Sequence, residues 1–240
     1  TVTALYYANR LVQLPLSVFG IATAVAILPT ISRAGARGAH DEIRTTLMDG
    51  FRQSYFLAFP AMLGLILLRD PIIRIFEFRN FDPADAARTS TALLFYGAGL
   101  VCFAGVKVAV SGFYAIQDTR TPVLVASASM LLNVAVNFIL VRPLEYVGLA
   151  LATTISFTFN FVFLYILLSQ RYGKLWDGDF LFGIAKTTVA TIIMVGVTAG
   201  VMVQLNYHLD TLSVVGRVAG VVIPMVTAVI AYFGLCAAIR

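Results

Sequence analysis

Long apolar runs, each close to the length that crosses a bilayer, follow one another along the whole chain. Seven spans are predicted, at about 2–32, 51–68, 89–116, 121–141, 146–169, 183–205 and 214–239, against the roughly 20 residues a transmembrane helix needs. The runs are continuous rather than alternating, which favours membrane helices over the strands of a β-barrel. Asp82-Pro83 and Thr121-Pro122 each pair a capping side chain with proline at a first helical position, and Asp85 adds an acid to the first turn that follows. Residues 69–81 (RDPIIRIFEFRNF) carry too much charge to span and read as a short amphipathic surface segment. Pro15, Pro29, Pro60 and Pro224 fall inside spans, as membrane helices tolerate where neighbours satisfy the freed backbone groups. The predicted fold class is all-α, a polytopic membrane helical bundle.

The first span breaks its own pattern. Arg10 is the only charge between Val2 and Ser32. It lies roughly 12 Å along the helix axis at about 1.5 Å per residue. An arginine at that depth costs on the order of 3 kcal/mol by insertion scales, so it normally faces a cavity or a partner. Thr3, Tyr6, Arg10, Gln13 and Ser17 recur at three- and four-residue steps, which puts them on one helical face. That stripe predicts a polar cavity or a second helix. The alternative is an arginine that snorkels to the headgroups from a helix that starts late.

Other polar positions are sparser. Lys107 is a second intramembrane cation, open to either cavity lining or snorkelling. The fourth span sets Ser129, Asn133 and Asn137 at four-residue steps, and the fifth sets Thr153, Ser156 and Asn160 on one face. Asn133, Asn137 and Thr153 are therefore a possible site for a monovalent cation, with side-chain oxygens and loosened carbonyls as ligands. Plain interhelical hydrogen bonding is the competing account, since no carboxylate accompanies these amides. Gly196-x-x-x-Gly200 and Gly216-x-x-x-Gly220 predict small-residue seams in the last two spans, whose interiors are otherwise apolar.

Composition agrees with this layout. The chain is 60% hydrophobic and 12% charged, with a mean hydropathy of +0.89, whereas soluble domains are about a quarter charged. The net charge of +5 sits mostly in loops, which suits membrane lipids better than nucleic acid. Connections after odd-numbered spans hold Arg33, Arg37, Arg44, Arg52, Arg120, Arg171, Lys174, Lys186 and Arg240; the even ones hold Arg69, Arg74, Arg79, Arg88, Arg142 and Arg217. The excess puts the odd connections and the C-terminus in the cytoplasm, and Arg10 in the outer half of its span. Cys102 and Cys236 read as buried free thiols, and His40 and His208 stand alone in loops. No Walker A loop, HExxH, GxSxG or cluster of His, Cys and carboxylates occurs in a span, so no metal or catalytic site is expected. A start at Thr1, directly in a membrane segment, reads as part of a longer protein.

LYYANRLVQLPLSVFGIATAVAILPTISR resembles the signature helix of the MurJ (MviN) lipid II flippases, within the multidrug/oligosaccharidyl-lipid/polysaccharide exporter superfamily. FPAMLGLILLRDPIIRIFEFRNFDPADAARTSTALLFYGAGL, KVAVSGFYAIQDTRTPV and GLALATTISF agree in the same order, so the resemblance covers nearly the whole chain. It implies fourteen membrane helices: two six-helix lobes around a central cavity, and an additional pair. This chain would supply helices eight to fourteen, with residues 1–170 as most of the C-terminal lobe and 171–240 as the pair, a groove for a lipid tail. The implied activity is transfer of undecaprenyl-pyrophosphate-linked peptidoglycan precursor (lipid II) from the cytoplasmic to the periplasmic leaflet of the bacterial inner membrane by alternating access. It implies a transporter for cell-wall biogenesis, not an enzyme, that needs the N-terminal half and no cofactor, with Na+ or membrane potential as a possible driving force. One essential cavity arginine of the family falls on Arg10, with Tyr6, Gln13, Ser17 and Lys107 as further substrate-binding positions. Asn137 departs from the negative charge a sodium site favours.

Two rival functions remain at this level. Another exporter of the superfamily would carry a different lipid-linked sugar or a small solute; a cation exporter would want intramembrane acids, which these spans lack. A membrane enzyme acting on isoprenoid phosphates would need catalytic acids or metal ligands from outside this chain.

Overall fold

The computed structural model describes residues 2–75, 83–208 and 214–238, and there the chain is a bundle of helices joined by short turns. Arg79, Asp82 with its expected cap, and Arg240 lie outside the described residues.

The first span is α1 (Val2–Pro15), a π-helical turn (Leu16–Ile21) and α2 (Ala22–Ala36). Pro15 has no N–H to give the preceding turn, and the wider turn follows directly. Ser17 and Thr23 fold their hydroxyls back onto the carbonyls of Gln13 and Phe19, at 2.7 and 2.8 Å. Next come α3 (His40–Leu67) and α4 (Arg69–Ile75), which bend by 67° at Leu68. Helices α5 (Pro83–Ala98) and α6 (Leu100–Ala115) bend by 42° at Gly99. That bend is chemically closed. Gly99 N–H bonds Tyr96 instead of Phe95, and the freed Phe95 carbonyl accepts from Thr154 Oγ1 at 2.8 Å.

Helix α7 (Arg120–Tyr172) contains 53 residues. Straight, it would run about 80 Å at about 1.5 Å per residue, far beyond a hydrocarbon core of about 30 Å. It does not run straight. Glu145, after Pro143, has φ 49° and ψ −127°, and Gly148 lies so near Leu140 that a Cβ there would meet the Leu140 carbonyl oxygen at 2.5 Å. The two ends meet: Arg171 Nη1 donates to Asp118 Oδ2 at 3.1 Å. Helix α7 is therefore a hairpin of two arms. Helices α8 (Gly178–His208) and α9 (Val214–Ala238) complete the chain.

Packing fixes the directions. Gly20 abuts Ala104 and Gly35 abuts the Ala115 carbonyl, so the first span runs parallel to α6. Gly50 meets Ile27 and Val108, and Gly112 meets Leu47, so α3 opposes both. The main core joins Ile31, Leu47, Val108, Phe113, Leu164 and Leu168 from α2, α3, α6 and the second arm of α7. In a membrane such contacts hold helices by close packing rather than by exclusion of water. A second core sets Ala8 and Val12 of α1 against Ala92, Leu93, Tyr96 and Leu100.

Among the described residues, four helices are long and apolar enough to cross a membrane, or up to six if each bent pair is one span. Several expectations need correction. The 42° bend divides the third predicted span, and α3 starts eleven residues before the predicted 51. Thr121 does not cap α7: the helix begins at Arg120, and Asp118 Oδ1 takes the Thr121 N–H at 3.1 Å. His40 opens α3 and His208 closes α8 instead of lying in loops. Cys102 and Cys236 are free but only half-buried. Finally, Gly196, Gly200 and Gly220 face open space, and α8 meets α9 through Ala190, Met194, Ala228 and Tyr232 instead.

Candidate functional site

Helix α1 has two faces. Ala4, Ala8 and Val12 are buried, the last two in the core shared with α5. Thr3, Tyr6, Arg10, Gln13 and Ser17 are all exposed, so the polar stripe points away from that core. Arg10 Nη2 donates to Tyr6 Oη at 2.8 Å, and its guanidinium carbon lies 5.2 Å from the Tyr6 ring centroid. The phenol thus steadies the arginine through one donor and leaves the rest of the guanidinium fork open. Such a fork matches carboxylate or phosphate oxygens bidentately. Gln13 and Ser17 meet only through the Gln13 carbonyl.

Lys107 is exposed on α6 among buried neighbours, and no hydrogen bond or ion pair links it to Arg10. Ala104, one turn earlier, packs on Gly20, which sets Lys107 near the level of residue 24 on the parallel first span. Arg10 lies about 20 Å from that level along the axis, at about 1.5 Å per residue. The two cations stand at different depths and do not converge on one phosphate.

The amides and hydroxyls of the fourth and fifth predicted spans do come together. Asn133 and Thr153, with Ser129, Ser156 and Asn160, line a cavity of about 450 Å³ between α6 and the two arms of α7. Asn137 joins through its Nδ2, which donates to Asn133 Oδ1 at 2.9 Å. Thr153 and Ser156 donate to the carbonyls of Leu149 and Ala152. Ser129 Oγ, Asn137 Oδ1 and Asn160 Oδ1 are buried without a partner in the protein. An unmet buried acceptor of this kind costs about 1–3 kcal/mol, so these oxygens suit water or a weakly held monovalent cation. Among the described residues, no group of three or more His, Cys, Asp or Glu side chains could hold a metal ion.

One arrangement was not visible in sequence. Asp118, in the turn between α6 and α7, accepts from Thr121 N–H, from Thr121 Oγ1 at 2.9 Å and from Arg171. The Thr121 backbone N–H, above the other contacts, holds its carboxyl below the usual aspartate range. Nearby, Arg44 Nε donates to the Lys174 carbonyl at 2.7 Å, and the His40 and Tyr172 rings lie 5.6 Å apart. The odd-numbered connections thus gather at one end of the bundle. At the other end, Arg217 reaches the Arg74 carbonyl at 3.5 Å.

The family model described as "Lipid II flippase MurJ" matches residues 1–220. The chain belongs to this family. It is 36% identical over 214 residues to "Probable lipid II flippase MurJ" of Vibrio cholerae serotype O1, covering 89% of this chain and 39% of that protein. It is 28% identical over 239 residues to the protein of the same description from Bdellovibrio bacteriovorus, covering 98% of this chain and 44% of that one. A solved structure, "Lipid II flippase MurJ, inward closed conformation", superposes with a TM-score of 0.81 at 24% identity, over 99% of this chain and 46% of that chain. At that identity the likeness concerns the fold. The chain spans about two fifths of the length of the curated relatives it matches.

Proposed function

We propose that this chain is the C-terminal half of a lipid II flippase, which moves undecaprenyl-pyrophosphate-linked peptidoglycan precursor from the cytoplasmic to the periplasmic leaflet of the inner membrane by alternating access. The observation that carries the reading is the exposed arginine face of α1 in a chain of this family. In this account each bent pair counts as one span and α7 as two, which gives seven of fourteen. Residues 1–170 form the lobe and 171–240 the tail-binding pair. The gathering of odd connections at one end, with their excess of Lys and Arg, supports a cytoplasmic placement for that end and for the C-terminus.

Arg10, held by Tyr6 and flanked by Gln13 and Ser17, takes the pyrophosphate. A guanidinium in a low-dielectric cavity recovers part of its own desolvation by that contact. Lys107, about 20 Å away along the axis, serves a second station nearer the cytoplasmic end. Asn133, Asn137 and Thr153 hold the coupling ion if one is used. With no carboxylate there, sodium binding would be weak, and membrane potential is the alternative driving force. The chain transports and does not catalyse. In cells depleted of their own flippase, the full-length protein carrying Arg10→Ala loses complementation and Arg10→Lys retains little, whereas normal growth at native expression removes Arg10 from the mechanism.

A further inference from the structure

A second pair of cations faces a cleft that the transport reading leaves unused. A cavity of about 760 Å³ opens where α8 and α9 dock on α3. Arg52 of α3 and Lys186 of α8 stand on its rim together with Asp49 and Gln53. Phe56 and Phe233 line it as well, with their rings 6.3 Å apart in an edge-to-face arrangement. The cleft is built around the arginine: a Cβ at Gly183 would lie 2.9 Å from Arg52 Nε and 3.1 Å from its Cδ. Any larger residue there would push the guanidinium aside.

The cations are left free. Neither Arg52 nor Lys186 makes a hydrogen bond or ion pair within the described protein, and Asp49 on the same rim pairs with neither. Both sit where polar helix ends give way to apolar spans, the level of lipid headgroups. Basic pockets between membrane helices at this level bind anionic headgroups, and each Lys or Arg near the surface strengthens the attraction about five-fold. We propose that this cleft binds an anionic phospholipid from the adjacent leaflet. Its phosphate lies between Arg52 and Lys186, and one acyl chain lies along Phe56 and Phe233. The bound lipid cements the α8–α9 pair to α3, where the direct side-chain hydrogen bonds among the described residues are Tyr232 Oη to the Phe56 carbonyl at 2.6 Å and Tyr55 Oη to Thr188 Oγ1 at 3.0 Å. The proposal requires these helices to lie in a membrane and does not depend on which substrate is carried.

The test is native mass spectrometry of the full-length protein extracted from nanodiscs of phosphatidylcholine with phosphatidylglycerol. Wild type retains phosphatidylglycerol over phosphatidylcholine. The doubly substituted Arg52→Gln/Lys186→Gln protein loses that preference by about 25-fold, the product of two cations. Lys174→Gln, which removes a cation at the same end but outside the cleft, keeps it. Arg10→Ala also keeps it, which separates this site from the transport reading. A matching melting temperature in phosphatidylcholine alone shows that the double variant is folded. Undiminished retention in the double variant overturns the proposal, as does equal loss in Lys174→Gln. Displacement of phosphatidylglycerol by a lipid-linked pyrophosphate would assign the cleft to the substrate instead.

Discussion

Replacing Asp118 tests the hairpin directly, because this carboxylate joins the start of the first α7 arm to the end of the second. Asp118→Ala removes an acceptor that caps the Thr121 N–H, a bond to the Thr121 hydroxyl and the 3.1 Å pair with Arg171. Loss of a helix cap costs about 1 kcal/mol. The Arg171 side chain is 47% exposed and that of Asp118 22%, so the pair contributes only about 0.2–1 kcal/mol. The sum is about 1–2 kcal/mol of stability. Asp118→Asn keeps an oxygen for the Thr121 N–H and loses the charge, so about 0.5 kcal/mol is expected from the ion-pair part alone. Detergent-titration unfolding of both variants, with Arg171→Ala completing a double-mutant cycle on Asp118→Ala, yields the coupling. The pH dependence has a definite sign. The folded carboxyl titrates below its unfolded value, so its stabilisation is complete above the unfolded aspartate range. It fades as pH falls through the lowered folded value, and Asp118→Asn flattens that part of the profile. Strict additivity of Asp118→Ala and Arg171→Ala would refute the clamp.

Three further outcomes follow from the same geometry. Gly148→Ala drives a methyl into the Leu140 carbonyl and destabilises by at least about 1–3 kcal/mol, whereas Gly196→Ala meets nothing within 4 Å and is neutral or slightly stabilising; paired thermal melts check this. Gln117 holds φ 62° at the end of α6, in the role that Gly38 fills at φ 66° after α2, so Gln117→Gly raises stability by about 1 kcal/mol in the same melts. Asn137→Asp adds the missing charge beside Asn133, and sodium, but not choline, then raises the melting temperature of the variant more than that of wild type; equal shifts would take Asn137 out of any ion site.

Hydrophobic patterning revealed the helical class and the approximate extent of most membrane segments, because bilayer thickness imposes one length on every span. It also placed the Thr3–Ser17 stripe on one face, and every stripe member is exposed. The Asn133, Thr153 and Asn160 grouping was legible as facing stripes because both arms of α7 keep helical spacing. What patterning missed depends on contacts between distant residues. The bend at Gly99 is stabilised by Thr154, 55 positions away, and the Asp118 clamp by Arg171. A Gly-x-x-x-Gly spacing says only that a close approach is possible, and Gly196 and Gly200 show it unused within this chain. The depth of Lys107 relative to Arg10 was hidden for a related reason: it follows from the Gly20–Ala104 packing, which no local pattern encodes.

The central claim is that the Arg10 face receives the pyrophosphate of lipid II. Equilibrium binding of lipid II to the full-length protein in nanodiscs, compared between wild type, Arg10→Ala and Tyr6→Phe, tests it most directly. Breaking a buried charged contact costs about 2–5 kcal/mol, so Arg10→Ala weakens binding by about 30-fold or more. Tyr6→Phe, which frees the guanidinium from its 2.8 Å acceptor, costs about 0.5–1.5 kcal/mol and so has a smaller effect. A dissociation constant for Arg10→Ala within about two-fold of wild type, far short of that loss, would contradict the account.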